Sequence, residues 1–188
     1  MRTPGVLAAA ITVCVSSVSG QMRNADAGTL GLQRLVLDGF ELHASLVTPS
    51  VDGVRRHPLP LALWRDNPQL STDGRFVEAV ARRGSQGRLD STGMRAALYA
   101  RYLGESDVGF YGLEAASAAD ADGRERLLRE IWANNVRLDR ARVHRQGRVL
   151  VVVWTDGVSV PTWDAVNAAV IERLAASSGG AIHLQESK

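Results

Sequence analysis

The sequence predicts an α+β domain: an antiparallel sheet built from hairpins, with about three helices packed mainly on one face. Three observations predict it. Alternating apolar runs flank tight-turn dipeptides, three segments carry apolar residues at helical spacing with capping residues before them, and the two kinds of segment are interspersed rather than strictly alternating. The bulk composition agrees, since 188 residues with 45% hydrophobic and 22% charged residues suit one globular domain. Fibrous, fully disordered and membrane-spanning classes are excluded by the same balance, because no apolar run long enough to span a bilayer follows the N-terminus.

The first 20 residues follow another plan. Met1-Arg2 is basic, Val6 to Val15 is almost uninterruptedly apolar, and Ser16-Ser17-Val18-Ser19-Gly20 is small. This is the order of a secretory signal peptide cleaved ahead of Gln21. Cys14, the chain's single cysteine, lies inside the apolar stretch, so the mature chain is expected to hold no disulfide, no thiol nucleophile and no cysteine zinc site. The bulky Val13 before it argues against lipid attachment. Removal of Arg2 leaves 21 basic against 20 acidic residues, a balance that points to no polyanionic partner at the level of global charge.

Residues 21–30 read as a short flexible lead-in, and 31–184 as a single domain. Asp38-Gly39 lies between alternating apolar positions and predicts a tight hairpin, with Leu35, Leu37, Phe40, Leu42, Ala44 and Leu46 on its buried face. Leu59, Leu61 and Leu63 alternate with Pro58, Pro60 and Ala62, which reads as an edge strand. Ser71 or Thr72 then caps a helix with Phe76, Val77 and Val80 inward, a Glu78 to Arg82 pair, and Gly84 at its end. Met94 to Leu103 and Val108 to Leu113 form a second hairpin around Gly104 to Asp107. Ser117 and Asp120 cap a helix from about 118 to 134 that buries Leu127, Leu128, Ile131 and Trp132, with Asn134-Asn135 at its end. A third hairpin turns at Gln146-Gly147, and its return strand Val149 to Trp154, apolar on both faces, belongs in the interior of the sheet. Pro161 opens the last helix, which buries Trp163, Val166, Val170 and Leu174 and stops at Gly179-Gly180.

Chemistry is sparse. His43, His57, His144 and His183 are too far apart in sequence for a compact metal-ligand spacing, and neither a metal nor a cofactor is expected. His144, Asp156 and Ser159 imitate a triad, with Ser159 in an incomplete nucleophile-elbow sequence. A turn at Gln146-Gly147 pairs His144 with Val149 and leaves Asp156 seven residues further on, about 23 Å away at ~3.3 Å per residue. Asp120, Asp122 and Glu125 suit the first turns of a helix, where carboxylates offset its dipole, and do not continue into a calcium loop. The five Asp-Gly pairs at 38, 52, 73, 122 and 156 read as turn and cap chemistry.

Arginine stands out. It supplies 21 of the 22 basic residues, and Arg137, Arg140, Arg142, Arg145 and Arg148 crowd beside His144 with only Asp139 opposing them. The set Arg140, Arg142, His144, Arg145 and Arg148 is the candidate ligand-binding strip, for an anionic ligand or an acidic protein surface. The competing reading is a solvated hairpin tip. Nucleic acid does not suit an exported chain whose strip has few aromatics interleaved. The expected function is therefore an exported, non-catalytic binding or accessory domain of the cell envelope or exterior. The alternatives are a small extracytoplasmic hydrolase whose site assembles only in three dimensions, with His144, Asp156 and Asp164 as contributors, and a purely structural envelope component. Trp64, Trp132, Trp154 and Trp163 read as core.

Overall fold

The computed structural model describes residues 30–54, 59–134 and 140–176. The predicted signal peptide, most of the lead-in, Arg137, Asp139, His57, His183 and the Gly179-Gly180 stop lie outside the described residues. Five antiparallel strands form one sheet in the order β1-β2-β3-β5-β4: β1 Gln69–Ser71, β2 Met94–Leu103, β3 Asp107–Ala115, β4 Arg140–Gln146 and β5 Val149–Thr155. The predicted α+β class is the one observed.

β5 sets the layering. All seven of its residues are buried, and β2 and β3 are buried along nearly their whole length. A strand that is apolar on both faces needs cover on both faces. Leu150, Val152 and Trp154 point into a core shared with α2 (Gly74–Gly84) and α3 (Ala118–Ala133), through Phe76, Val80, Leu128 and Trp132. Val149, Val151 and Val153 point into a second core, with Trp163, Val166, Val170 and Leu174 of α4 (Val160–Ala175) and Leu32 and Leu35 of a 3-10 turn, Gly31–Leu35. The helices thus lie on both faces of the sheet, where the sequence had suggested mainly one. All four tryptophans are core, as expected.

The hairpin predicted around Asp38-Gly39 does not form. Asp38 is instead the N-cap of a single-turn helix, α1 (Gly39–Leu42): its carboxylate accepts from the Phe40 N–H at 2.9 Å, and Glu41 accepts from the Asp38 N–H at 2.7 Å. Thr48 completes the cap, accepting from the Gly39 N–H and donating to Asp38. Side chain to backbone bonds of this kind compete directly with a strand ladder. Leu32, Leu35, Leu37, Leu42 and Leu46 are buried, but Phe40, expected on the same face, is 69% exposed.

Three further elements differ in detail. The predicted edge strand at 59–63 is a turn, in which Pro60 accepts from the Leu63 and Trp64 N–H groups, consistent with proline's fixed φ at a turn start. The edge strand on that side is β1, short and polar, which no alternation announced. α2 begins one residue later than expected, because Asp73 accepts from both Arg75 and Phe76. The hairpin of β2 with β3, α3 with its Ser117 cap, and α4 with Pro161 in its first turn form where expected.

Packing at Gly109 shows how tightly the first core closes. A β-carbon there would stand 2.3 Å from the Trp154 indole, which lies stacked on Tyr111 at 6.0 Å. Arg101, opposite Gly109, lies over the Trp154 ring at 5.8 Å and pairs with Asp107. Gly109→Ala should therefore lower stability by about 2 kcal/mol, the range of core overpacking, read from the urea midpoint of the purified chain at unchanged slope.

Candidate functional site

The arginine strip is built by the β4–β5 hairpin. Its two turn residues are Gly147 and Arg148, one position later than predicted, with Gly147 in the left-handed region at φ +57°. Gln146 then pairs with Val149 and His144 with Val151; alternation sets Arg140, Arg142 and His144 on one face and Arg145 on the other, while Arg148, expected to meet Arg145 across the turn, reaches Glu114 instead. Arg140, Arg142 and His144 lie toward α4, while Val143 and Arg145 lie toward α3.

The strip is therefore divided rather than continuous. Arg140 donates to the Val158 carbonyl at 2.9 Å. Arg142 pairs with Asp164 at 2.9 Å and rests over the Trp163 ring at 5.7 Å. Across the sheet Arg145 meets Asp122 at 2.8 Å and Glu125 at 2.7 Å. Arg148 stands apart at the turn, 3.7 Å from Glu114 on β3. Each guanidinium offers five donors, so one or two carboxylate contacts orient the group without saturating it. Asp120 does local work in α3, accepting from Ser117, and Asp122 and Glu125 face β4, so these carboxylates belong to the helix and its ion pairs.

β4 is an edge strand, and among the described residues its backbone pairs only with β5. α3 and α4 pack beneath it from opposite faces and leave its outer side as the rim of the sheet. Arg142 remains half-exposed there, and Arg145 about a quarter.

His144 occupies the centre of the strip and is partly buried. Its Nε2 lies 2.7 Å from Asn167 Oδ1, and Asn167, itself buried, donates its amide to the Trp163 carbonyl at 2.8 Å. That second bond fixes the amide orientation, so Nε2 must carry the proton. Burial pushes the imidazole below its ordinary pKa; the Asn167 bond opposes this, and the Arg129 and Arg142 charges add to the lowering.

The hydrolase contributors do not gather. Asp156 lies five residues beyond Val151, the partner of His144, about 16 Å along an extended strand at ~3.3 Å per residue. Asp164 is committed to Arg142. Ser159 caps α4, accepting from the Thr162 N–H. Among the described residues no three metal-ligating side chains cluster, and His43 bonds its neighbour Ser45.

Two polar features went unnoticed in the sequence. Glu114 sits inside an apolar strand and is buried, and Arg34 and Arg95 lie far from the strip in the chain. A charged residue alternating into a buried strand was the available signal for the first; nothing local marked the other two. No known protein family, no curated protein and no solved structure matches the chain.

A lowered His144 pKa makes stability depend on pH with a definite sign. The unfolded chain, with an ordinary value of about 6.5, binds the proton more readily, so stability is lost as pH falls below about 6.5 toward the folded value. The urea midpoint should fall between pH 7.5 and pH 5.5, and His144→Gln should flatten the fall.

Proposed function

We propose that the chain is an exported, non-catalytic binding domain of the cell envelope or exterior that captures an extended acidic segment of a partner protein along β4. The observation that carries this reading is the position of β4: a seven-residue edge strand with Arg140 and Arg142 on one side and Arg145 on the other. An extended segment added to such an edge gains main-chain hydrogen bonds, while its alternate side chains fall to opposite faces. Carboxylates at alternate positions would then meet guanidiniums on both sides. A second copy of the chain is a poorer occupant, since pairing β4 with itself sets arginines against arginines.

Export is supported by the basic, apolar and small order of residues 1–20 and by the confinement of Cys14 to that stretch. No helix among the described residues is long and apolar enough to cross a membrane.

Two experiments test the reading. Added to the purified chain, an extended Glu-rich peptide should slow hydrogen exchange at β4 amides. Arg140→Gln/Arg142→Gln/Arg145→Gln should weaken it at least about tenfold, a difference of ~1.4 kcal/mol. Absence of binding, or equal binding by the triple variant, overturns the proposal. Expressed from Met1 in a bacterial host, the chain should be recovered outside the cytoplasm with its N-terminus at or near Gln21; retention in the cytoplasm with residues 1–20 intact overturns the export assignment.

A further inference from the structure

Beyond the β4 edge, four elements converge where the 3-10 turn meets the sheet. Glu114 of β3 is the centre, its side chain 2% exposed. Its Oε2 accepts from the Leu32 N–H of the 3-10 turn at a long 3.4 Å. Its Oε1 stands 3.8 Å from Arg95 Nη1 and 3.7 Å from Arg148 Nη2. Arg95 falls at an irregularity in β2, where the register with β3 shifts between Met94 and Ala96, and an extra residue of this kind re-aims its side chain. Arg34 approaches from the 3-10 turn: its Nη2 and Glu114 Oε2 both lie within 3.5 Å of the point where a β-carbon on Gly31 would stand.

The charges do not balance. Three guanidiniums surround one carboxylate, and both ion pairs to it are looser than a hydrogen bond. Arg34 makes no hydrogen bond or ion pair among the described residues, and its Nε is buried without a partner. A buried donor left unsatisfied is costly, and like charges brought together by three separate elements need a counter-charge. Glu114 supplies one negative charge from below. Arg95 and Arg148 are 37% and 44% exposed, and Arg148 also reaches the Ala116 carbonyl at 3.5 Å.

We infer that Arg34, Arg95 and Arg148, held over the buried Glu114, form a site for a tetrahedral oxyanion of the phosphate class. A planar carboxylate matches one guanidinium fork, whereas three forks arriving from three elements suit an anion with several acceptor oxygens. Glu114 is a positioning residue: it tethers Arg95 and Arg148, eases their mutual repulsion, and keeps the anion on their outer side. The site is distinct from the β4 edge in both place and ligand, and it stands or falls independently of acidic-segment capture.

The test is titration of the purified chain with inorganic phosphate at constant ionic strength, followed by calorimetry and by thermal midpoint. One saturable site is expected, with sulfate competing and acetate not. Arg148→Gln and Arg95→Gln should each weaken binding about fivefold or more, and Arg34→Gln should weaken it as well. Arg75→Gln, the same charge change at an exposed position of α2, should leave it unaltered. Each variant's midpoint without phosphate reports whether it still folds, and Arg148, in an exposed turn, provides the variant least dependent on the core. No saturable binding up to about 10 mM, a weak limit for a specific site, overturns the inference. So do equal weakening by Arg75→Gln, which would reduce the effect to net charge, and competition by acetate as strong as by sulfate.

Discussion

The fold depends on covering β5 from both sides. Val149 to Trp154 offers apolar side chains to each face of the sheet, and leaving either face wet would forfeit roughly 1.5–3 kcal/mol for each large side chain exposed. Two cores result. One is roofed by α2 and α3 and rich in aromatic contacts, with Tyr111 stacked toward both Trp132 and Trp154; the other is roofed by α4 and the leucines of the N-terminal segment, with Tyr102 against Phe110. Because the two helical layers come from different parts of the chain, the sheet between them is fixed from both sides, and β4, packed by α3 on one face and α4 on the other, is left as its rim.

That rim organises the electrostatics. Arginine is nearly the only cation in the sequence, and its planar fork allows one group to satisfy a local carboxylate while still presenting donors outward. On β4 the carboxylates come from both helical layers, Asp164 from α4 and Asp122 and Glu125 from α3, so the arginines are oriented by the same helices that close the cores. Around Glu114 the ratio is reversed, with three arginines to one acid, and that difference separates an oriented but compensated edge from an undercompensated cluster.

The repeated Asp-Gly dipeptide shows how far local reading carries. Asp38 and Asp73 are helix N-caps, Asp52 lies in a short 3-10 turn, Asp122 is inside α3 with Gly123, and Asp156 follows the end of β5. The dipeptide marks a place where the chain is free to turn, but the partner groups decide how. At Asp38 those partners were Glu41, three residues ahead, and Thr48, ten residues away, and the alternating leucines around them suit burial in any backbone form. The strip was legible as a cluster and as a hairpin. Its division follows from strand alternation, which sets Arg145 on the opposite face from Arg142, but its partners do not, because Asp164 and Glu114 are distant in sequence.

The α+β class, the Ser117 cap of α3, the buried faces of α2, α3 and α4, the β2–β3 and β4–β5 hairpins and the interior place of β5 were all legible in the chain. Each of these follows from side-chain periodicity or from hydrogen bonds a few residues long. The division of the helices between two faces, the coiling of residues 31–46 and the gathering of Arg95 and Arg148 at Glu114 with Arg34 close by emerge with the assembled fold. Which layer covers which face, and which charges meet there, are settled by contacts between segments tens of residues apart that no local periodicity encodes, while at Asp38 a cap made within ten residues displaces a ladder that the same alternation would suit.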